Sequence, residues 1–351
     1  ETLINSPQKT GNLWYNRIMN QLTFTDIEYA GRRRKTKREK FLDEMDGIIP
    51  WNEWVEMIKP YYPKGKRGRP PLEIEKKLRM YFLQIWFSLS DEGTEEAMYD
   101  SYAFRKFSRI DFTSEQAPDA TTLLKFRKLL VENKLNEKLF KDVNERLDKA
   151  GLMVHGGTIA DATIVAAPKS TKNKEGKRDE EMHQTKKGNE WHFGMKVHSG
   201  CDAQTGYAHT ITATAANEHD ITEAHNLIRD DDDVFYGDSG YLGIEKRDEI
   251  KEDEHLSKVE YRIAKRPSAL KSKISNGGID WDREIERRKA SVRSKVEWPH
   301  HLVKDIFGYR KCVYKGIEKN LNRFYILFMS ANLLRCIQGG RAASFCAVRL
   351  R

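Results

Sequence analysis

An aspartate inside a run of small and β-branched residues constrains this chain more than any other feature. The run Gly157 to Val165 predicts a buried strand, and Asp161 lies in its middle. A buried charge is costly unless it is paired or binds a metal. A second short strand, Val234 to Asp238, also ends in an aspartate, directly before the turn at Ser239 and Gly240. Taken singly, either aspartate could be structural; together they mark candidate ligands at the end of a sheet.

The pattern before these strands is helical. Apolar residues from Leu72 to Leu89 recur with the spacing of one buried helix face, and a shorter helical stretch follows from Thr94 to Ser101. Pro118 and Asp119 indicate the start of another helix, which carries Lys125 and Arg127 on its polar side. We expect a helical DNA-binding domain. The alternative is a helical bundle that only packs against the rest of the chain.

After residue 154 the pattern changes to strands and then helices. Trp191 to His198 and Tyr207 to Ala215 predict a hairpin, whereas the polar stretch Lys169 to Asn189 predicts a mobile loop. Helices are expected over residues 220–229, 282–296 and 320–334. The order favours a mixed α/β domain. The expected organisation is an N-terminal basic and aromatic region (1–63), a helical domain (64–151), the α/β domain (152–340) and a tail (341–351).

Two basic stretches are candidate DNA contacts. Lysine and arginine number 62 against 53 acidic residues, a net charge of +9 that suits a polyanionic partner. The block Gly31 to Lys40 predicts an arm that contacts phosphates through Arg32, Arg33 and Arg34, or else a solvated loop. The stretch Lys64 to Pro71 predicts a linker, in which Arg67 and Arg69 have the form of a minor-groove contact.

Composition also limits where the chain works. No apolar run reaches the ~18 residues that cross a bilayer, and Glu1 to Asn12 lack the pattern of a signal peptide. We expect a soluble, cytoplasmic protein without a membrane partner. Its four cysteines are far apart and show no C-x-x-C spacing, which favours reduced thiols.

A third carboxylate, Glu297, lies on the last predicted charged helix. Arg293 precedes it by four residues and so shares its helix face. Pro299 is expected to kink or end this helix, which leaves the alignment of Lys304 with that face open.

These residues resemble the three carboxylate motifs of DDE transposases from bacterial insertion sequences, in the IS-four and IS-five superfamily and its IS-five-like branch. The motifs are the Asp161 strand, the turn Tyr236 to Tyr241, and Arg293, Glu297 and Lys304 in their spacing. The likeness extends through Lys172–Lys174, Glu181–Gly188, Trp191–Lys196 and Phe307–Lys311, and covers most of residues 70 to 335. One position departs: the family has a tyrosine three residues before the arginine, where this chain has Ala290.

The resemblance implies an RNase H-like catalytic domain, in which Asp161, Asp238 and Glu297 hold two Mg²⁺ ions, with Mn²⁺ as a substitute. It implies that water cuts the end of the element and that the freed 3′-hydroxyl then attacks target DNA. The partners are double-stranded DNA, as terminal inverted repeats and as target, and a second subunit when a dimer assembles on DNA. In a bacterium such a protein is nucleoid-associated while it is bound.

Further DNA contacts are expected around the carboxylates. Arg293 and Lys304 are assigned to phosphates near the cut, His192 and Lys196 to the cut strand or a metal-bound water, and Trp298 to a flipped base. Arg310 and Lys311 complete the set. Alternative roles are a salt bridge to Glu297 or a surface charge for Arg293 and Lys304, and a core position for Trp298.

Three other functions compete with a transposase. An inactive, transposase-derived DNA-binding protein predicts a lost carboxylate, and all three are present. A nuclease that cuts without joining uses the same residues, and only the basic helical region before them favours transposition. A basic structural scaffold would need neither strand-borne aspartate.

Overall fold

The computed structural model describes Tyr29 and residues 31–63, 72–174, 176–266 and 280–348. Contacts divide the chain into two units, residues 1–43 and 44–351. The predicted linker Lys64 to Pro71, with Arg67 and Arg69, lies outside the described residues.

Seven helices precede the sheet in the described part of the chain. Their bounds are α1 Lys37–Ile48, α2 Trp51–Ile58, α3 Ile74–Trp86, α4 Asp91–Asp100, α5 Tyr102–Ser108, α6 Ala120–Glu132 and α7 Leu135–Lys149. The sequence-based predictions for α3, α4 and α6 are confirmed. Asp119 begins α6 by accepting a hydrogen bond from the Thr122 N–H at 2.6 Å, as an N-cap residue does.

Within the described ranges, six strands form one mixed sheet. Their bounds are β1 Gly157–Ala166, β2 His183–Lys187, β3 Glu190–Asp202, β4 Ala208–Ala215, β5 Val234–Gly237 and β6 Glu260–Ile263. β1 is central, antiparallel to β3 and parallel to β5, and β6 is parallel to β5. β3 is long enough to pair with β2 over residues 190–194 and with β4 over residues 195–201. The predicted hairpin is therefore confirmed as β3 and β4.

One local prediction in this region is wrong and another is confirmed in part. The segment 169–189, expected to be a mobile loop, contains β2 and is held by Asp179 and Glu181, which accept hydrogen bonds from the backbone N–H groups of Gly316 and Ile317 at 2.7 and 2.8 Å. Its pairing with β3 makes the end of the expected loop a strand. The helix expected over residues 220–229 is present as a 3₁₀ turn, Asp220–Thr222, followed by one helical turn, α8 Ala224–Leu227.

The remaining helices are α9 Asp248–Lys251, α10 Trp281–His301, α11 Ile317–Gln338 and α12 Ala342–Ala347. Pro299, expected to kink or end its helix, does not end it. α10 continues through Pro299 and passes directly into a π-helical segment, Leu302–Ile306. Such wider turns often occur at functional sites.

Helix α11 joins the helical part to the sheet. It packs against α3, α7 and β4. The Trp86 indole donates to the Ser330 hydroxyl at 2.7 Å, and the Asn332 amide donates to the Ala208 carbonyl at 2.7 Å. The helices before residue 151 and the strands after it therefore share a core, across the domain boundary expected from the sequence.

None of the described helices combines the length and apolar character needed to cross a bilayer. All four cysteines are unpaired thiols, as predicted.

Candidate active site

Asp161 and Asp238 lie on neighbouring parallel strands. The register pairs Gly157 with Val234 and Ile159 with Tyr236. Two more residues in the same register bring Asp161 opposite Asp238, just beyond the last paired residues. Asp238 also fixes the turn that follows β5, because its carboxylate accepts a hydrogen bond from the Gly240 N–H at 2.8 Å.

The pKa of Asp161 is raised to about 6. Burial is the largest cause, although 40% of the side chain remains exposed, and the negative charges of Asp238 and Asp220 add to it. The hydrogen bond from Ala162 and the charge of Lys187 act in the opposite direction. Such a carboxylate is destabilised in its ionised form, which a nearby cation would relieve.

Asp220 is a site residue that sequence analysis missed. It follows β4 in a polar run, Asn217 to Asp220, which was the only signal. Lys196 holds it: the ammonium of this β3 lysine donates to an Asp220 carboxylate oxygen at 2.9 Å and to the Glu218 carbonyl at 2.6 Å. Lys196, which is expected from the sequence to contact the cut strand or a metal-bound water, therefore also has partners within the protein.

Helix α10 packs against β1 and β5 and brings His300 next to Asp161. Its Nε2 lies 3.8 Å from an Asp161 carboxylate oxygen and 2.9 Å from the Ser199 hydroxyl. Ser199 is the β3 residue directly paired with Asp161. Burial, aided by the charge of Lys304, lowers the pKa of His300 to about 3, so its ring is neutral at physiological pH. Sequence analysis did not single out His300 as a site residue.

Glu297 is exposed and lies three residues before His300 on α10. Residues with that spacing share a helix face. Because His300 reaches Asp161, Glu297 lies on the side of α10 that faces the end of the sheet, one turn earlier. The described contacts do not join Glu297 to either aspartate.

Lys304 lies in the π-helical segment and is close enough to Asp161 to interact with it. Burial and the positive charge of Lys187 lower the pKa of Lys304, while the charge of Asp161 opposes that change. Lys187, at the end of β2, therefore acts electrostatically on both Asp161 and Lys304.

The side chains around Asp161 offer oxygen ligands for a metal ion. Within the described ranges, no three His, Cys, Asp or Glu side chains converge closely enough to hold one. The nearest donors are carboxylate oxygens, which Mg²⁺ prefers. Two aspartates whose charges repel fit a divalent cation, since it would remove the repulsion that raises the pKa of Asp161.

Several residues expected to contact DNA are occupied by partners within the protein. The Arg127 guanidinium forms a forked ion pair with Asp91. The half-buried Trp298 ring makes a cation–π contact with the Arg335 guanidinium, 4.8 Å from the ring centre. Arg310 pairs with Asp305. Arg32 pairs with Glu39 at 2.8 Å.

The other expected DNA contacts keep accessible side chains. Arg293 and His192 are partly exposed; Arg33, Arg34, Lys125 and Lys311 are exposed.

The family comparisons cover most of the chain. A family model described as "Transposase DDE domain" matches residues 153–333. A second, described as "Transposase domain (DUF772)", matches residues 31–129. No solved structure matches the chain. The first match spans β1 to α11 and so contains Asp161, Asp238 and Glu297, and on this evidence the chain belongs to the DDE-domain transposase family.

Proposed function

We propose that this chain is an active transposase of the IS-five-like branch, with an RNase H-like catalytic domain. It binds the terminal inverted repeats of its element, cuts the DNA ends and joins them to target DNA. The observation that carries the proposal is the placement of Asp161 and Asp238 side by side at the end of the parallel strands β1 and β5. The sheet order, with β1 between antiparallel β3 and parallel β5, supports the fold assignment.

Asp161, Asp238 and Glu297 are the residues that would hold two Mg²⁺ ions. When bound, such ions activate the attacking oxygen and stabilise the leaving one. The side chain of Glu297 is exposed, one helical turn before His300 on α10, while the two strands fix the positions of the aspartates. His300, neutral and buried, lies next to Asp161 and is hydrogen-bonded to Ser199.

Lys304 supplies a positive charge beside Asp161, where a DNA phosphate would approach the carboxylates. Arg293, one turn before Glu297 on α10, extends this positive surface. Both side chains hold and orient the phosphodiester chain without entering the bond changes. The proposed partners are the terminal repeats, the target DNA and a second copy of the chain, because two ends have to be joined in one event.

The test is cleavage of a labelled duplex carrying the element's own terminal repeat, with Mg²⁺. Asp161→Asn, Asp238→Asn and Glu297→Gln keep side-chain size and remove a ligand charge; each is expected to bind the duplex and to lose cleavage. Asp230→Asn, which changes an exposed aspartate outside the site, is the matched control and should cut normally. Cleavage by the three site variants at the parent rate would contradict the assignment.

The same assay separates the competing functions. A precut end with a free 3′-hydroxyl and a supercoiled target gives a joined product only if the chain performs strand transfer. Cleavage without any joined product favours the nuclease. Specific binding with neither reaction favours the inactive DNA-binding protein.

A further inference from the structure

Residues 183–193, here named the arm, form a two-stranded hairpin of β2 and the first part of β3. A two-residue turn, Gly188 and Asn189, joins the strands. Most of the arm is solvent-exposed, and the Trp191 ring is 60% exposed. An indole left in water forgoes the burial that usually stabilises it, so a ring held outward on a paired strand is available to a partner.

The arm is held firmly at its base. Asp179 and Glu181 bind the first N–H groups of α11, where the helix dipole favours negative charge. Met182 is buried. The Arg178 guanidinium lies 5.4 Å from the centre of the Phe193 ring.

Gly194 lets β3 pass very close to β1 at the base of the arm. A Cβ atom at this position would overlap the Val165 carbonyl oxygen. The contact fixes how the arm leaves the sheet, so the position of its tip relative to β1 is determined by the backbone.

The charged side chains of the arm are mostly basic. It carries Lys186 and Lys187 against a single carboxylate, Glu190, and the two acidic residues at its base are bound by the N–H groups at the start of α11. Lys186 is directly paired with Trp191 across the hairpin, so an ammonium and an indole lie at the same level. β3 is antiparallel to β1, so its first residues extend past the carboxyl end of β1; Asp238 follows the carboxyl end of the parallel strand β5, and the arm therefore leaves the sheet at the end that carries the carboxylates.

We propose that the arm grips the DNA strand next to the cleaved phosphate, with Lys186 and Lys187 on the backbone and Trp191 stacked on the base that loses its neighbour when the strand is cut. The proposal rests on the proposed function. Sequence analysis assigned a base contact to Trp298, but that ring is covered by Arg335, whereas Trp191 is open. Stacking on an aromatic ring tolerates any base, which suits a contact at a variable flank.

The experiment measures DNA binding by the full chain without divalent metal, which keeps binding apart from cleavage. The probe is a nicked terminal-repeat duplex with 2-aminopurine at the base flanking the nick; anisotropy of a distant dye gives the dissociation constant, and 2-aminopurine emission reports stacking. The variants are Trp191→Ala, Trp191→Phe and the double change Lys186→Ala with Lys187→Ala. Trp281→Ala, an indole 64% exposed outside the arm, and the double change Lys246→Ala with Lys251→Ala are the controls.

Trp191→Ala is expected to weaken binding about tenfold and to abolish the 2-aminopurine change, while Trp191→Phe keeps most of both. The double lysine variant should reduce the slope of log affinity against log salt by about two, without changing the 2-aminopurine signal of bound DNA. All these residues are exposed, so circular dichroism should show unchanged folding.

The proposed contact between the arm and DNA is excluded if the dissociation constant of Trp191→Ala lies within about twofold of that of Trp281→Ala. The contact is also excluded if the two double lysine variants lower the slope of log affinity against log salt equally. Binding would then depend on the general positive charge of the surface and not on the arm. If the parent cuts and joins DNA while the arm variants behave as the parent does, only this inference fails. If the parent binds no terminal-repeat duplex, the proposed function fails with it.

Discussion

At the scale of single residues, the surroundings of a charged side chain determine its role. Lys196 lies on the predicted hairpin and is expected from the sequence to contact DNA. Both of its described hydrogen bonds, however, go to the segment Glu218 to Asp220. Asp220 adds its negative charge to that of Asp238 around Asp161. Lys196 therefore balances an acidic site and holds the turn that carries Asp220.

Lys196→Met should lower the cleavage rate at least tenfold, because Asp220 would be released and its charge left unbalanced, while duplex affinity changes less than about threefold. Single-turnover cleavage and anisotropy separate the two quantities. Lys258→Met, at an exposed lysine paired with Glu254, should leave both unchanged. A fall in affinity as large as the fall in rate would return Lys196 to the role of a DNA contact.

Because His300 is buried and neutral, we expect the free energy of unfolding to depend on pH. Its folded pKa of about 3 lies below the unfolded value of about 6.5, so the unfolded chain binds the extra proton as pH falls. This group therefore favours unfolding increasingly below pH ~6.5, by about 2 kcal/mol between pH 7 and pH 5. The raised pKa of Asp161 acts in the opposite direction in part of that window, because the folded chain takes up its proton.

Urea unfolding of the parent and of His300→Gln, at pH 7 and pH 5, isolates the contribution of this histidine to the change in stability with pH. The glutamine can still hydrogen-bond to Ser199 but does not titrate. The variant should lose less stability on acidification than the parent. Equal losses would show that the imidazole is protonated in the folded chain.

At the scale of elements, close backbone contact determines which strands can pair. β3 approaches β1 at Gly194, where no other residue fits beside the Val165 carbonyl. The first part of β3 extends past the end of β1 at this point and pairs only with β2. The arm is thus a consequence of one glycine and of the helix α11 N-terminus that binds Asp179 and Glu181.

Gly194→Ala should destabilise the fold by about 3 kcal/mol or more, because the added methyl group meets backbone atoms that belong to the central strand pair. Gly47→Ala is the control: it lies in α1 with open space at its Cβ position and should be neutral or slightly stabilising. Urea unfolding measures both. Equal stability of the two variants would mean that β3 can shift away from β1.

At the scale of the whole molecule, α11 serves two parts of the chain at once. It contacts α7 through Phe140 and Tyr325, whose ring centres are 5.7 Å apart. On another side Asn332 pairs with the backbone of Ala208 in β4. A helix that is buried nearly all round cannot be left half-covered without exposing apolar surface.

Residues 152–351 expressed alone should therefore fail to fold cooperatively, although they contain the whole sheet and all three carboxylates. The faces of α11 that α3 and α7 cover would be exposed to water. Thermal unfolding by circular dichroism, with the full chain as control, checks this. A cooperative transition of the fragment would show that the helical part is a separate domain.

The sequence by itself determined the local features of this protein. Strand β1 with Asp161, the turn at Asp238, the hairpin of β3 and β4 and the helices α3, α6 and α11 follow from apolar periodicity and turn residues, which act over a few neighbours. The family motifs likewise lie within short segments, and they identified the candidate carboxylates.

Only the tertiary structure decided which polar groups meet. The turn that carries Asp220 contacts the turn that follows Asp238, His300 lies next to Asp161, and Lys196 is paired with Asp220. Each contact joins residues that are distant in sequence or separated by a turn, and no local pattern encodes the partner. A charge has the same appearance in a sequence whether it faces water or a buried carboxylate, and the surrounding fold sets its energy.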